Sequence, residues 1–269
     1  MTSNESRHLL LPVAFAVAAA LMAPATFGTG NGDEDEEDEA EFEEAQIYLE
    51  LNDTDGDLGI HGLIDGDAWK RLKIFDPNEN VLMSAWIRGR LRQQGMTEFF
   101  FESAEPTFDE LPPARFFRRF PEGTYEIEGV TLDGEEIEGE AELSHVMAAP
   151  PGNIRVNGIP AAENCDADDL PAVSGRVKLD WNAVTMSHPT IGTPGVPVKV
   201  LQYEVVAEIE REGKEPEVLV MSTILPRWKT QFAIPREFTR LAEDEMKFEI
   251  ITKLDNGNQT AVESCFEIE

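Results

Sequence analysis

The most consistent signal in the chain is alternation. Ile47, Leu49 and Leu51 alternate with Gln46, Tyr48 and Glu50, which is the period-2 signature of a strand with one buried face. Residues 69–75, 81–87 and 97–101 read as three more strands, and Asp76-Pro77-Asn78-Glu79-Asn80 is a turn between the first two of them. Tyr125 and Ile127 then face inward while Glu126 and Glu128 face out. Leu132-Asp133-Gly134 turns the chain, and Ile137, Ala141 and Leu143 alternate with Glu136, Glu138, Glu140 and Glu142. Those glutamates form a charged outer face that discourages edge pairing. Residues 112–120 depart from the alternation. Pro112 and Pro113 suit the first turn of a short helix, and Phe116, Phe117 and Phe120 follow at helical spacing as core residues.

The second half repeats the signal. Val177, Leu179 and Trp181 form one alternating set. Tyr203, Val205, Ala207 and Ile209 form another, and Met246, Phe248 and Ile250 a third. Residues 218–224, 230–234 and 262–268 are further strands, and Asp255-Asn256-Gly257 is a hairpin turn. Between the halves, Ala148-Ala149-Pro150-Pro151-Gly152 reads as a stiff linker. The pattern predicts an all-β protein of two consecutive β-sandwich domains, 45–147 and 153–269, with one short helix in the first. Trp69, Trp86 and Trp181 fall on strands and read as core. Trp228, in Leu225-Pro226-Arg227-Trp228-Lys229, is the candidate for an exposed contact residue.

Residues 1–25 read as a secretory signal peptide: Arg7 and His8, an uncharged apolar run from Leu9 to Met22, then Ala23-Pro24-Ala25 as a small-x-small cleavage site. The apolar run is shorter than the roughly 20 residues that span a bilayer, so no stable membrane span is expected once the signal is removed. Residues 26–44 carry Asp33-Glu34-Asp35-Glu36-Glu37-Asp38-Glu39 and then Glu41, Glu43 and Glu44. Such dense like charge predicts a disordered acidic spacer. The formal net charge is -31, which repels phosphate backbones and anionic lipid and argues against either as a partner. The expected location is secreted or periplasmic. In that setting the chain's two cysteines, Cys165 and Cys265, are expected to form a disulfide within the second domain.

Candidate chemistry concentrates in Asn52-Asp53-Thr54-Asp55-Gly56-Asp57-Leu58-Gly59. Asp53, Asp55 and Asp57 match the first three ligand positions of a helix-flanked calcium loop. Leu58 stands at the required glycine and Ile64 at the required bidentate glutamate, so the loop is not an EF-hand. Two readings stay open: a looser calcium site on Asp53, Asp55 and Asp57, with Asp65 or Asp67 in reach, or a strand-connecting turn. His61, His145 and His188 are scattered, none of them in a metal motif. His61, beside the acidic loop, is the one placed to matter. The chain contains no GxSxG elbow, P-loop or GxGxxG, so no catalytic residue is assigned and no cofactor beyond the possible calcium.

Val177-Lys178-Leu179-Asp180-Trp181-Asn182-Ala183-Val184 resembles the second strand of a fibronectin type III module with its core tryptophan. Leu201-Gln202-Tyr203-Glu204-Val205 resembles the third strand. Leu241 followed by Phe248-Glu249-Ile250 resembles the corner that opens the sixth, where the family carries a tyrosine and this chain has Phe248. The resemblance covers 153–269, with the loop 186–197 as an insertion, and the first domain resembles an immunoglobulin-type sandwich. It implies a non-enzymatic, exported spacer or protein-binding module with a protein or surface partner. A calcium-stabilised envelope protein and an enzyme or binding module acting on envelope polysaccharide are the alternatives.

Overall fold

The computed structural model describes residues 40–211 and 213–269. The signal peptide and the acidic spacer up to residue 39 lie outside the described residues. In chain order the elements are β1 (Ala40–Glu41), β2 (Glu44–Asn52), β3 (Asp57–Phe75), β4 (Val81–Trp86), α1 (Leu91–Gln94), β5 (Met96–Glu102), α2 (Pro113–Arg119), β6 (Gly123–Thr131) and β7 (Glu136–Leu143). There follow β8 (Arg155–Val156), β9 (Ile159–Pro160), β10 (Ala172–Val173), β11 (Lys178–Asp180), β12 (Val200–Glu210), β13 (Val218–Pro226), β14 (Gln231–Ala233), α3 (Arg236–Thr239), β15 (Glu245–Leu254) and β16 (Gln259–Ile268). The protein is all-β with short helices. Besides the expected helix α2, the one-turn helices α1 and α3 occur, one in each half. The expected spacer ends earlier than residue 44: β1 pairs with β7, and Phe42 buries its ring against Gly139 and Gly129. One aromatic residue that fills the space over two glycines outweighs the repulsion of the glutamates beside it.

The long strand β3 organises the first half by changing partners midway. Residues 57–65 pair with β2 on one edge and, from His61, with β5 on the other. Residues 69–75 pair with β6 and β4 instead. The chain therefore passes from one layer to the other through a bulge between Asp65 and Trp69. Leu49, Leu51, Ile60 and Ile64 from the first layer meet Leu72, Ile74, Tyr125 and Ile127 from the second in one core, capped by Phe116 of α2. The Tyr125 hydroxyl donates to the Pro121 carbonyl at 3.0 Å. That bond fastens the corner leading into β6, as the tyrosine corner of immunoglobulin-type sandwiches does. In the second half Phe248 is wholly buried in the core.

The second core lies between β12, β13, β15 and β16 and a small sheet ordered β14-β11-β8-β9. Trp181 packs edge-on to Tyr203 there, with ring centroids 5.5 Å apart. The two halves share a seam. β16 pairs in parallel with β2 through Gln259↔Glu50, Thr260↔Leu51 and Ala261↔Asn52, so one twelve-stranded sheet runs through both. The loop 186–197 crosses the seam as well, placing Ile191 in the first core and His188 against Asp53. Cys165 and Cys265 are joined by a disulfide, which ties the 161–166 segment to β16.

Candidate functional site

The acidic loop is a tight turn that Asn52 organises. Its side-chain oxygen accepts the N–H groups of Thr54 at 3.0 Å and Asp55 at 3.2 Å, and Gly56 closes the turn at φ +67° by donating to the Asn52 carbonyl. Thr54 docks the turn on β16: its hydroxyl accepts the Glu263 N–H at 3.0 Å. The three aspartates take different neighbours. Asp53 Oδ1 lies 2.8 Å from His188 Nε2. Asp55 accepts from Asn52 Nδ2 at 3.1 Å, and burial together with Glu263 raises its pKa. Burial pushes the Asp57 carboxyl up to about 7, and Glu105 and Asp55 add to the push. Asp65 accepts the Gly66 N–H at 3.0 Å, and Asp67 is exposed.

A denser constellation lies one strand pair further on. Glu50 on β2 stands opposite Gly59 on β3, and Tyr48 stands opposite His61. Leu49 and Leu51 of β2 point into the core, so Tyr48, Glu50 and His61 share the other face. Glu105 enters from the segment after β5 and covers Gly59. A Cβ at residue 59 would sit 2.3 Å from Glu105 Oε1, so the missing side chain is the space that Glu105 occupies. The covering segment is tied down at both ends. Ile60 N–H donates to the Ser103 hydroxyl at 3.0 Å, and Phe108 N–H donates to the Gly56 carbonyl at 2.7 Å. His61 Nε2 lies 3.2 Å from Glu105 Oε1, and its ring stands between Tyr48, at 5.2 Å, and Phe100, at 6.0 Å. His61 is buried, at 2% exposed.

Carboxylates crowd this face. Burial raises the Glu50 pKa, and Glu105 and Glu102 add to it. Glu102, opposite His61 on β5, is raised as well, by burial and by Glu105. Burial opposes protonation of His61, but its hydrogen bond to Glu105 and the nearby Glu50 charge prevail, so its pKa lies above the ordinary value. Lys253, which pulls the Glu50 pKa down, is bound at 2.7 Å to Glu204. Gly59 is the local trace of the arrangement in the sequence. Glu105, 44 residues from His61, gave no signal at all.

The tryptophans divide differently from the pattern's expectation. Trp69 and Trp181 are buried, and Trp228 is 74% exposed. Trp86 is 61% exposed, not core, because β4 pairs with β3 alone and leaves an open edge. Trp228 neighbours an open cleft lined by Arg176, Lys178, Lys229 and Phe232. Trp86 begins a run with Arg88, Arg90, Leu91 and Arg92, all exposed.

The sequence matches no family model and no curated protein. Among solved structures, a tetra-tandem repeat from the extending region of a large adhesion protein is 12% identical, with 84% of this chain and 50% of that chain covered and a TM-score of 0.25. A 1.5-MDa bacterial ice-binding adhesin is 11% identical, with 84% and 64% covered and a TM-score of 0.23. The BSP domain of a biofilm-associated protein is 14% identical, with 83% and 29% covered and a TM-score of 0.23. This chain therefore spans less than two thirds of each of these chains, and likenesses this weak say nothing about activity. No helix among the described residues is long and apolar enough to cross a membrane.

Proposed function

We propose that the protein is an exported, non-enzymatic β-sandwich module that holds an anionic polysaccharide at the cell exterior or envelope. The observation that carries this reading is the exposed run Trp86, Arg88, Arg90, Leu91 and Arg92. An exposed tryptophan in one short segment with three exposed arginines fits a contact surface, since binding hot spots are enriched in both residues. The overall charge of -31 does not cancel it. At physiological salt, charges are screened over about 8 Å, so a partner at this patch responds to the local arginines. The sheet shared by both halves supports a structural role, because paired strands tie one half to the other. The Cys165–Cys265 disulfide supports an oxidising compartment, and that agrees with the signal peptide expected from the sequence.

The test is retention of the full chain on an anionic polysaccharide resin and on intact cells. The triple variant Arg88→Glu, Arg90→Glu, Arg92→Glu and the single variant Trp86→Ala are each expected to lose retention. Trp228→Ala is expected to keep it. Equal retention of the wild type and the triple variant would remove the reading.

A further inference from the structure

The cluster on the β2–β3 face has the geometry of a metal site. One ligand atom from each of Glu50, His61 and Glu105 lies within 4.8 Å of the other two. Ligands about 2.1 Å from a tetrahedral ion stand about 3.4 Å apart. His61 Nε2 and Glu105 Oε1 are already at 3.2 Å. The three side chains come from separate elements, two strands and the covering segment, and each is held independently. Register places Glu50, Tyr48 and Phe100 flank the imidazole, and the bonds of Ser103 and Phe108 fix the segment that carries Glu105. Gly59 is what admits Glu105 to the site. It provides a cradle in the sheet face that any Cβ would fill, and Glu105 lies in it above Glu50's opposite position. Charge points the same way. Glu50, Glu102 and Glu105 gather around a single imidazole, and Lys253, the lysine that acts on Glu50, is also bound to Glu204. A divalent ion would offset that repulsion.

We infer that Glu50, His61 and Glu105 form a binding site for a divalent transition-metal ion of the Zn²⁺ class. The imidazole decides the class, because Ca²⁺ and Mg²⁺ take oxygen ligands, whereas nitrogen with carboxylate oxygen suits Zn²⁺. Three protein ligands leave a fourth position for water or a partner's side chain. The ion would also clamp the segment after β5 onto the hairpin below it. The site does not use Asp53 or Asp55 of the acidic turn, which are engaged by His188 and Asn52.

The experiment is calorimetric titration of chelator-stripped full chain with Zn²⁺. It is run in about 0.5 M NaCl, so that loose binding to surface carboxylates is screened. One ion per chain and a raised Tm are expected. Glu105→Gln and Glu50→Gln should each weaken binding about tenfold or more. Gly59→Ala should do the same while leaving all three ligands in the chain. Glu126→Gln, on the exposed face of β6, should change nothing. Three results would overturn the site: no stoichiometric Zn²⁺ binding, equal affinity in the wild type and Glu105→Gln, or a loss caused by Asp55→Asn and not by Glu50→Gln. Ca²⁺ binding as tight as Zn²⁺ would overturn the assigned ion class.

Discussion

The side-chain carbonyl of Asn258 accepts the backbone N–H of Leu49 at 2.8 Å, although 209 residues separate the two. The same side chain donates to the carbonyls of Ser144 at 2.7 Å and Val146 at 3.0 Å, so one fully buried amide fastens β2, the end of β7 and the turn before β16. Removing it would take these partners from the buried Leu49 N–H and from the Ser144 carbonyl, while the Val146 carbonyl keeps the Asn256 amide at 3.0 Å; each buried group left unpaired costs about 1–3 kcal/mol. Asn258→Ala is therefore expected to destabilise the protein by about 3 kcal/mol or more, measured by urea denaturation. Asn258→Asp should do comparable harm, because the two donors are lost.

The Cys165–Cys265 bridge spans 100 residues of sequence. In the chain-entropy model, a closed loop of that length contributes about 4–5 kcal/mol. Cys165→Ser with Cys265→Ser is expected to lower Tm under oxidising conditions, and adding reductant should then have no further effect. A wild-type Tm unchanged by full reduction would contradict this expectation.

The edges of legibility follow physical lines. The alternations at Ile47, Leu49 and Leu51 and at Tyr203, Val205 and Ala207 were plain because one face of each strand is wet and the other dry. Residues 58–62 were opaque because both faces of β3 are covered there, so its hydrophobic and small residues lose their period. Trp86 was misread because strand pattern does not tell an edge strand from a central one. The seam between β2 and β16 leaves no local mark, since its partners are more than 200 residues apart. The Asp53–Asp57 turn was visible as a unit, but its organiser, Asn52, was not separable from the aspartates by composition. The site on Glu50, His61 and Glu105 needs a loop residue whose position only the fold decides.

Gly192 sits at φ +71°, and a Cβ there would lie 1.9 Å from the backbone oxygen of His145. Backbone atoms in a packed junction have little room to move. Gly192→Ala is expected to destabilise the protein by about 3 kcal/mol or more through strain and clash together. It should also raise protease cleavage in the loop 186–197, which limited proteolysis can read. Gly152→Ala, where nothing stands within 4 Å, is the neutral control.

Glu249, on β15, gives a pH-dependent prediction. Burial pushes its pKa from 4.5 to about 7, against the pull of Lys247 and with a further push from Glu263. The folded state thus holds this proton more tightly than the unfolded state. The favourable contribution is complete below about pH 4.5 and lost as pH rises through 7. Glu249→Gln is expected to raise Tm at about pH 8 and to match the wild type at about pH 4. Equal gains at both values would show that packing, not ionisation, is responsible.

The pairing of β2 with β16 sets an order of assembly. One edge of β2 is satisfied by β3 within a few residues, but the other waits for residues 259–261. During synthesis, the first core can gather while β2 still presents an open hydrogen-bonding edge, and that edge is an invitation to another chain. The last hairpin is therefore the lid that makes the early part of the molecule safe. A chain truncated before residue 259 should accumulate as aggregate, and not as a soluble first half.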